Sequence, residues 1–191
     1  MKTKILSLII ALMCSFISSA QQIEFMGLPL HSKITDYCRV LKEHRFTATY
    51  KNNNWKDGHF WKQRNCDVAI YESDDNYVGL VNVTIPYNNF NDINDYRQTI
   101  GDLLNDFWNK YGNSSPEKYD MESNRYDAFF YAHDHGGDQF YIYTWNLTTG
   151  TIQVLYNADR QWSILIQYTT RERINRIKEA QRFRGGGASD L

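Results

Sequence analysis

Apolar and polar residues alternate along four consecutive runs in the second half of the chain, at residues 126–132, 139–146, 151–156 and 162–168. Turn residues separate them: Asp134-His135-Gly136-Gly137-Asp138, then Thr148-Thr149-Gly150, then Asn157-Ala158-Asp159. Ile152, Val154 and Tyr156, then Trp162, Ile164, Ile166 and Tyr168, recur every second residue, the period that gives a strand one buried face. The pattern predicts an antiparallel meander. A similar set comes earlier, at residues 46–51, 58–63, 65–72 and 77–85, with turns at Asn52-Asn53-Asn54 and Asp74-Asp75-Asn76. Its last run places Tyr77, Gly79, Val81, Val83 and Ile85 on one side and stops at Pro86.

A helical period precedes each set. Residues 23–30 read as a short extended lead-in halted at Pro29; Ser32 then serves as N-cap, and Ile34, Tyr37, Cys38 and Leu41 form the apolar stripe of a helix to about residue 44. Residues 92–111 carry Ile93, Tyr96, Ile100, Leu103, Leu104, Phe107 and Tyr111 on one face, with Gly112 as the stop. A last helix, residues 171–183, has Thr169 as its cap and Glu172 three on, but buries only Ile174, Ile177 and Ala180. Residues 184–191, with three glycines in a row, form a disordered tail. A helix cannot bury its stripe alone, and a one-sided meander needs a cover. The expected fold class is therefore α+β: two tandem helix-plus-antiparallel-sheet units of about four strands each, with helices covering one sheet face. They form the halves, 23–86 and 92–169, of a single domain over residues 21–183. The other face, carrying Tyr141, Tyr143, Gln153, Ser163 and Gln167 or their opposites, is expected to be partly open.

The N-terminus changes where this domain is expected to work. Met1-Lys2-Thr3-Lys4 is basic, residues 5–17 are apolar, and Ser18-Ser19-Ala20 supplies small residues, the layout of a secretory signal peptide cut after Ala20. The apolar run is short of the roughly 20 residues a bilayer span needs. The bulky Met13 before Cys14 is unlike the small residue of a lipoprotein signal. A periplasmic or secreted location follows, with no transmembrane segment in the mature chain. Loss of Lys2 and Lys4 with the signal moves the formal charge of −1 by two, to −3. That balance argues against nucleic acid, whose phosphates call for a basic patch. Cys38 and Cys66 remain, and an oxidising compartment lets them pair, closing a loop worth about 3 kcal/mol; the alternative is two small thiols that never oxidise.

Candidate chemistry is sparse. His133, His135 and Asp138 bring metal-ligating types close together, but they also make an ordinary polar hairpin tip. Cys66 with His59 or His44 has the types of a nucleophile and base and no third group to orient them. Asp74, Asp75, Asp92, Asp95, Asp102 and Asp106 fall in turns or on the polar side of a helix. No nucleophile elbow, P-loop or dinucleotide fingerprint is present. The aromatic share of 15% is high, and Tyr50, Trp55, Phe60 and Trp61 lie among Lys51, Asn52, Lys56 and His59. Such rings either fill the core or supply a binding face.

Two resemblances add to this reading. Phe25-Met26-Gly27-Leu28-Pro29-Leu30, then Ile34, Tyr37, Leu41 and Phe46, then Gly58-His59-Phe60 leading into Asn65-Cys66-Asp67-Val68-Ala69-Ile70, resemble a group of uncharacterised exported proteins of Gram-negative gut bacteria. The helix ending Lys110-Tyr111-Gly112 is similar too. Where that group has glycine before the phenylalanine, this chain has Arg45, so the residue that favours a left-handed helix stop is absent. The duplicated helix-plus-sheet order resembles the β-lactamase-inhibitor-protein fold, whose members bind other proteins across a sheet. The expectation is an exported, non-enzymatic interaction module without a cofactor, contacting an envelope protein or glycan through an aromatic-rich sheet surface that includes Tyr50, Trp55, Phe60, Trp61, Tyr141 and Tyr143. The alternatives are a periplasmic metal-dependent hydrolase centred on His133 and His135, and a proteinaceous inhibitor of an envelope enzyme.

Overall fold

The computed structural model describes residues 22–49, 53–73, 76–119 and 140–185. The signal segment, Tyr50, the run at 126–132, the His133 to Asp138 hairpin and residues 186–191 lie outside the described residues.

The chain enters through a hairpin rather than a plain extended lead-in. Strands β1 (Glu24–Phe25) and β2 (Leu28–Pro29) pair antiparallel across Met26 and Gly27, both at positive φ of 52° and 80°, the requirement of a tight two-residue turn. Helix α1 (Ile34–Glu43) follows. Ser32 does not cap it: its hydroxyl donates to the Pro29 carbonyl at 2.7 Å, and Lys33 occupies the cap position with no side-chain bond. At the other end Arg45 takes φ 66°. Its N–H donates to the Lys42 carbonyl, and the Phe46 N–H to the Leu41 carbonyl. These two bonds are those of a Schellman stop, made here by an arginine.

Eight strands then form one antiparallel sheet in the order β3-β4-β5-β6-β10-β9-β8-β7. They are β3 (Thr47–Ala48), β4 (Asn54–Phe60), β5 (Gln63–Glu72), β6 (Val78–Ile85), β7 (Pro116–Tyr119), β8 (Phe140–Leu147), β9 (Gly150–Asn157) and β10 (Ile164–Thr170). The fold is α+β, and each half contributes four strands. The halves join edge to edge where Ile85, Val83 and Val81 face Ile164, Ile166 and Tyr168. Several boundaries differ from the sequence pattern, among them β3, only Thr47–Ala48 where the alternation ran over residues 46–51. Strand β4 begins at Asn54 and turns at Trp61-Lys62, not after Gln63. Strand β7 occupies a stretch with no alternation in sequence, because a short edge strand pairs on one side only. Trp162 precedes β10 and packs edge-on against Phe140, ring centroids 5.0 Å apart.

Helix α2 (Ile93–Tyr111) connects the halves. Asp92 caps it, its carboxylate accepting from the Asn94 and Asp95 N–H groups at 2.7 and 2.9 Å. Gly112 ends it at φ 85°, where a Cβ would be strained. Both helices lie over the same sheet face. Tyr37 and Leu41 of α1, with Tyr96, Ile100, Leu103, Leu104, Phe107 and Tyr111 of α2, join one apolar cluster with Val68, Val83, Ile166 and Val154, residues that face one another across four strands. Burying each such side chain is worth about 1.5–3 kcal/mol. Gly58 is part of that packing, since the Phe46 ring lies 2.1 Å from where a Cβ would sit.

Helix α3 (Arg171–Gly185) follows β10 without a break. Its cap is Thr170, not Thr169: the Thr170 hydroxyl accepts from the Arg173 N–H at 3.3 Å. The helix runs on through Arg184 and Gly185, which the glycine-rich composition had assigned to the tail. Arg173 lies 5.7 Å over the Tyr71 ring and donates to the Glu72 carbonyl, which holds α3 against the far end of the second sheet face. Among the described residues no helix is long and apolar enough to cross a membrane.

Candidate functional site

The expected surface residues that are described lie in the core or on the helix-covered side of the sheet, none on its bare side. Trp55 and Phe60 are core, 3% and 7% exposed, and Phe60 stacks on Phe25 with centroids 5.8 Å apart. The Trp55 indole N–H is buried without a partner. Tyr143 is 8% exposed and stacks on Trp145 and on Tyr156, at 6.0 and 6.1 Å. Tyr141 is half-buried and stacks on Tyr156. The register decides their side: Tyr143 faces Val154, which faces Ile166, so both tyrosines belong to the helix-covered face and not to the open one. Burial beside these rings pushes the Tyr156 hydroxyl up to about 12. Tyr50 and the candidate ligands His133, His135 and Asp138 lie outside the described residues.

Cys38 and Cys66 are both free thiols. Burial pushes the Cys66 thiol up to about 12 and raises that of Cys38. Since the thiolate is the reactive form, Cys66 at neutral pH is an inert core residue whose thiol donates weakly to the Arg64 carbonyl. Among the described residues no three His, Cys, Asp or Glu side chains gather closely enough to hold a metal ion.

Two concave features lie on opposite sides of the sheet. The first lies on the face that α1 and α2 leave bare. Asn54, Ala69, Asn82, Gln167, Gln153 and Thr144 face one another in a single row across six strands. Gln167 is 6% exposed and its amide donates to the Asn82 side-chain carbonyl at 3.1 Å. The next row holds Asp67, Thr84, Leu165, Leu155 and Ile142. At the β4–β6 end the two rows enclose a trough of about 410 Å³, lined by Thr49, Asn54, Lys56, Asp67, Asn82 and Thr84. Neither Lys56 nor Asp67 is in an ion pair among the described residues. At the β8–β10 end the same face turns apolar, with Phe140, Ile142 and Leu155 buried beneath half-exposed Trp162 and Leu165.

The second feature is a cleft of about 330 Å³ on the helix side, between α2 and the β4–β5 turn. Phe60, Leu103, Phe107, Tyr111 and Tyr168 line it, with Met26 and His44. Trp61 stands at its edge at φ 52°, an unusual conformation for so bulky a residue, and its indole N–H donates to the Asp106 carboxylate at 2.7 Å. Across from it the Lys110 ammonium meets the Glu24 carboxylate at 3.0 Å. Trp61 and its neighbours were visible in sequence. The partners that make a cleft of them, Asp106 among the exposed-type aspartates and Glu24 in the lead-in, carry no local signal because they are 45 and 86 positions from the groups they hold.

No protein-family model matches the chain, and no curated protein or solved structure matches it.

Proposed function

We propose that this protein is an exported, non-enzymatic binding module that holds a neutral saccharide of the cell envelope on the sheet face that α1 and α2 leave bare. The observation that carries this reading is the division of that face into two chemistries. A saccharide presents hydroxyl edges that both donate and accept, and C–H faces that lie on apolar or aromatic surface. The trough offers amides, hydroxyls and the unpaired Lys56 and Asp67 for the first. The patch around Trp162 and Leu165 offers the second, with ring stacking worth about 0.5–1.5 kcal/mol beyond area. Export rests on the signal-like residues 1–20 and on the resemblance to exported proteins.

A protein partner on the same face is the competing reading, and it is the one the inhibitor-like order of elements favours. The row Asn54 to Thr144 argues for the saccharide, because it lacks the Trp, Tyr and Arg anchors that carry protein interfaces. Titration of the protein with neutral envelope oligosaccharides tests the choice by calorimetry. Saturable binding that Asn82→Ala and Trp162→Ala each weaken by about tenfold is expected. Absence of saccharide binding, or binding that both variants leave intact, sinks it.

A further inference from the structure

We propose that helix α3 docks the protein on a membrane surface that carries anionic phospholipid. Its charge sets this helix apart from the rest of the chain. Six basic residues, Arg171, Arg173, Arg176, Lys178, Arg182 and Arg184, stand in it against Glu172 and Glu179, a formal charge of +4. The chain without residues 1–20 carries −3, so taking away the +4 of the helix leaves −7 for everything else. Charge set apart in this way in one terminal element is the pattern of a chain that meets an anionic surface.

The packing of α3 leaves it open to such a surface. Its anchors are in its first turn, where Arg171 donates to the Leu147 carbonyl and Arg173 to the Glu72 carbonyl. Every residue from Asn175 to Ala180 is exposed, and six residues go more than once round a helix. Helices in proteins are held chiefly by burying one face, and a short helix that buries none is marginal in water. Glu172 pairs with Arg176, but two acids offset only two of the six cations. A layer of anionic headgroups supplies from outside the contacts that the sheet does not.

The apolar residues decide between lipid and another polyanion. Among the described residues the exposed large hydrophobics are Tyr71, Tyr87 and Ile177. Ile177 lies amid the cations of α3, and the Tyr71 ring lies 5.7 Å beneath the Arg173 guanidinium. The phosphates of a nucleic acid are met by cations and leave Ile177 in water. At the boundary between headgroups and acyl chains a surface-bound helix seats apolar residues while its cations meet phosphate. The reading of residues 1–20 as an export signal supplies the setting, and nothing in the docking depends on what the trough holds.

Sedimentation of the chain without residues 1–20 tests the proposal, with vesicles of phosphatidylcholine and with vesicles of equal parts phosphatidylcholine and phosphatidylglycerol. Binding to the mixed vesicles is expected to be about tenfold or more tighter than to the neutral ones, and to fall as salt shortens the screening length from about 10 Å at 0.1 M to about 3 Å at 1 M. Lys178→Glu should weaken it about tenfold or more and Ile177→Ser about threefold to tenfold, both at exposed positions that leave the melting temperature unchanged. Lys42→Glu makes the same charge change at an exposed position of α1 and should alter binding by less than about twofold. An equal loss in Lys42→Glu, equal binding to neutral vesicles, full binding by both α3 variants, or tighter binding of duplex DNA than of the mixed vesicles would overturn it. Saccharide titration of the two α3 variants should match the parent, so that either reading can fail alone.

Discussion

Arg45 shows how much a single residue can be made to do against its preference. The stop after α1 needs a left-handed conformation, and Arg45 adopts it at φ 66° because the Phe46 N–H must reach the Leu41 carbonyl for the Phe46 ring to lie on Gly58. Packing of that ring outweighs the local cost. Arg45→Gly should raise stability by about 0.5–1 kcal/mol, the left-handed strain relieved less the backbone entropy glycine adds to the unfolded chain, as read by a higher urea midpoint at constant slope. Trp61 has the same kind of backbone, and its side chain is bonded to Asp106 of α2.

At the scale of elements, the decisive contact is the pairing of β6 with β10. Six residue pairs from Ile85–Ile164 to Leu80–Thr169 turn two four-stranded units into one sheet, and both helices then share one apolar layer. Ile166 stands at that seam, fully buried. Ile166→Ala should cost about 2–5 kcal/mol. Because the seam belongs to both halves, tryptophan fluorescence and far-ultraviolet dichroism should lose structure together in one transition; separate transitions for the two signals would mean that the halves fold independently. Helix α3 is held less firmly, since Ile177 is 45% exposed and its anchors lie in its first turn, Arg171 on the Leu147 and Thr149 carbonyls and Arg173 on Tyr71 and Glu72.

At the scale of the whole molecule, and among the described residues, the groups that burial shifts upward are tyrosine hydroxyls and two thiols. Burial raises Tyr37, Tyr96 and Tyr168 above the usual tyrosine range and pushes Tyr156 and Cys66 up to about 12. For groups that are neutral when protonated, a raised folded value means that the stabilisation is complete below the unfolded pKa, about 8.5 for Cys and about 10 for Tyr. It is lost as pH rises through the folded values. Stability should therefore hold from neutral pH to about pH 9 and decline steeply above pH 10, followed as the melting temperature against pH. Tyr168→Phe should soften that decline while leaving the neutral-pH value in place.

Period and punctuation alone determined much of this protein. The amphipathic stripes of α1 and α2, the Gly112 stop, and the inward sets Ile152-Val154 and Ile164-Ile166-Tyr168 are local patterns, and each survives in the fold because its neighbours in sequence are its neighbours in space. The α+β class follows from them; of the four runs read in the second half, that at 126–132 lies outside the described residues, and β7 stands at Pro116–Tyr119, where no alternation marks it. Tertiary structure decided the rest. It merged two sheets into one, set Tyr141 and Tyr143 on the covered side, kept Cys38 apart from Cys66, and assembled the amide row from six strands and the cleft from Glu24, Trp61, Asp106 and Tyr168. Register and long-range pairing act between residues tens of positions apart, and alternation within a strand reports that one face is buried without reporting which side the helices will cover.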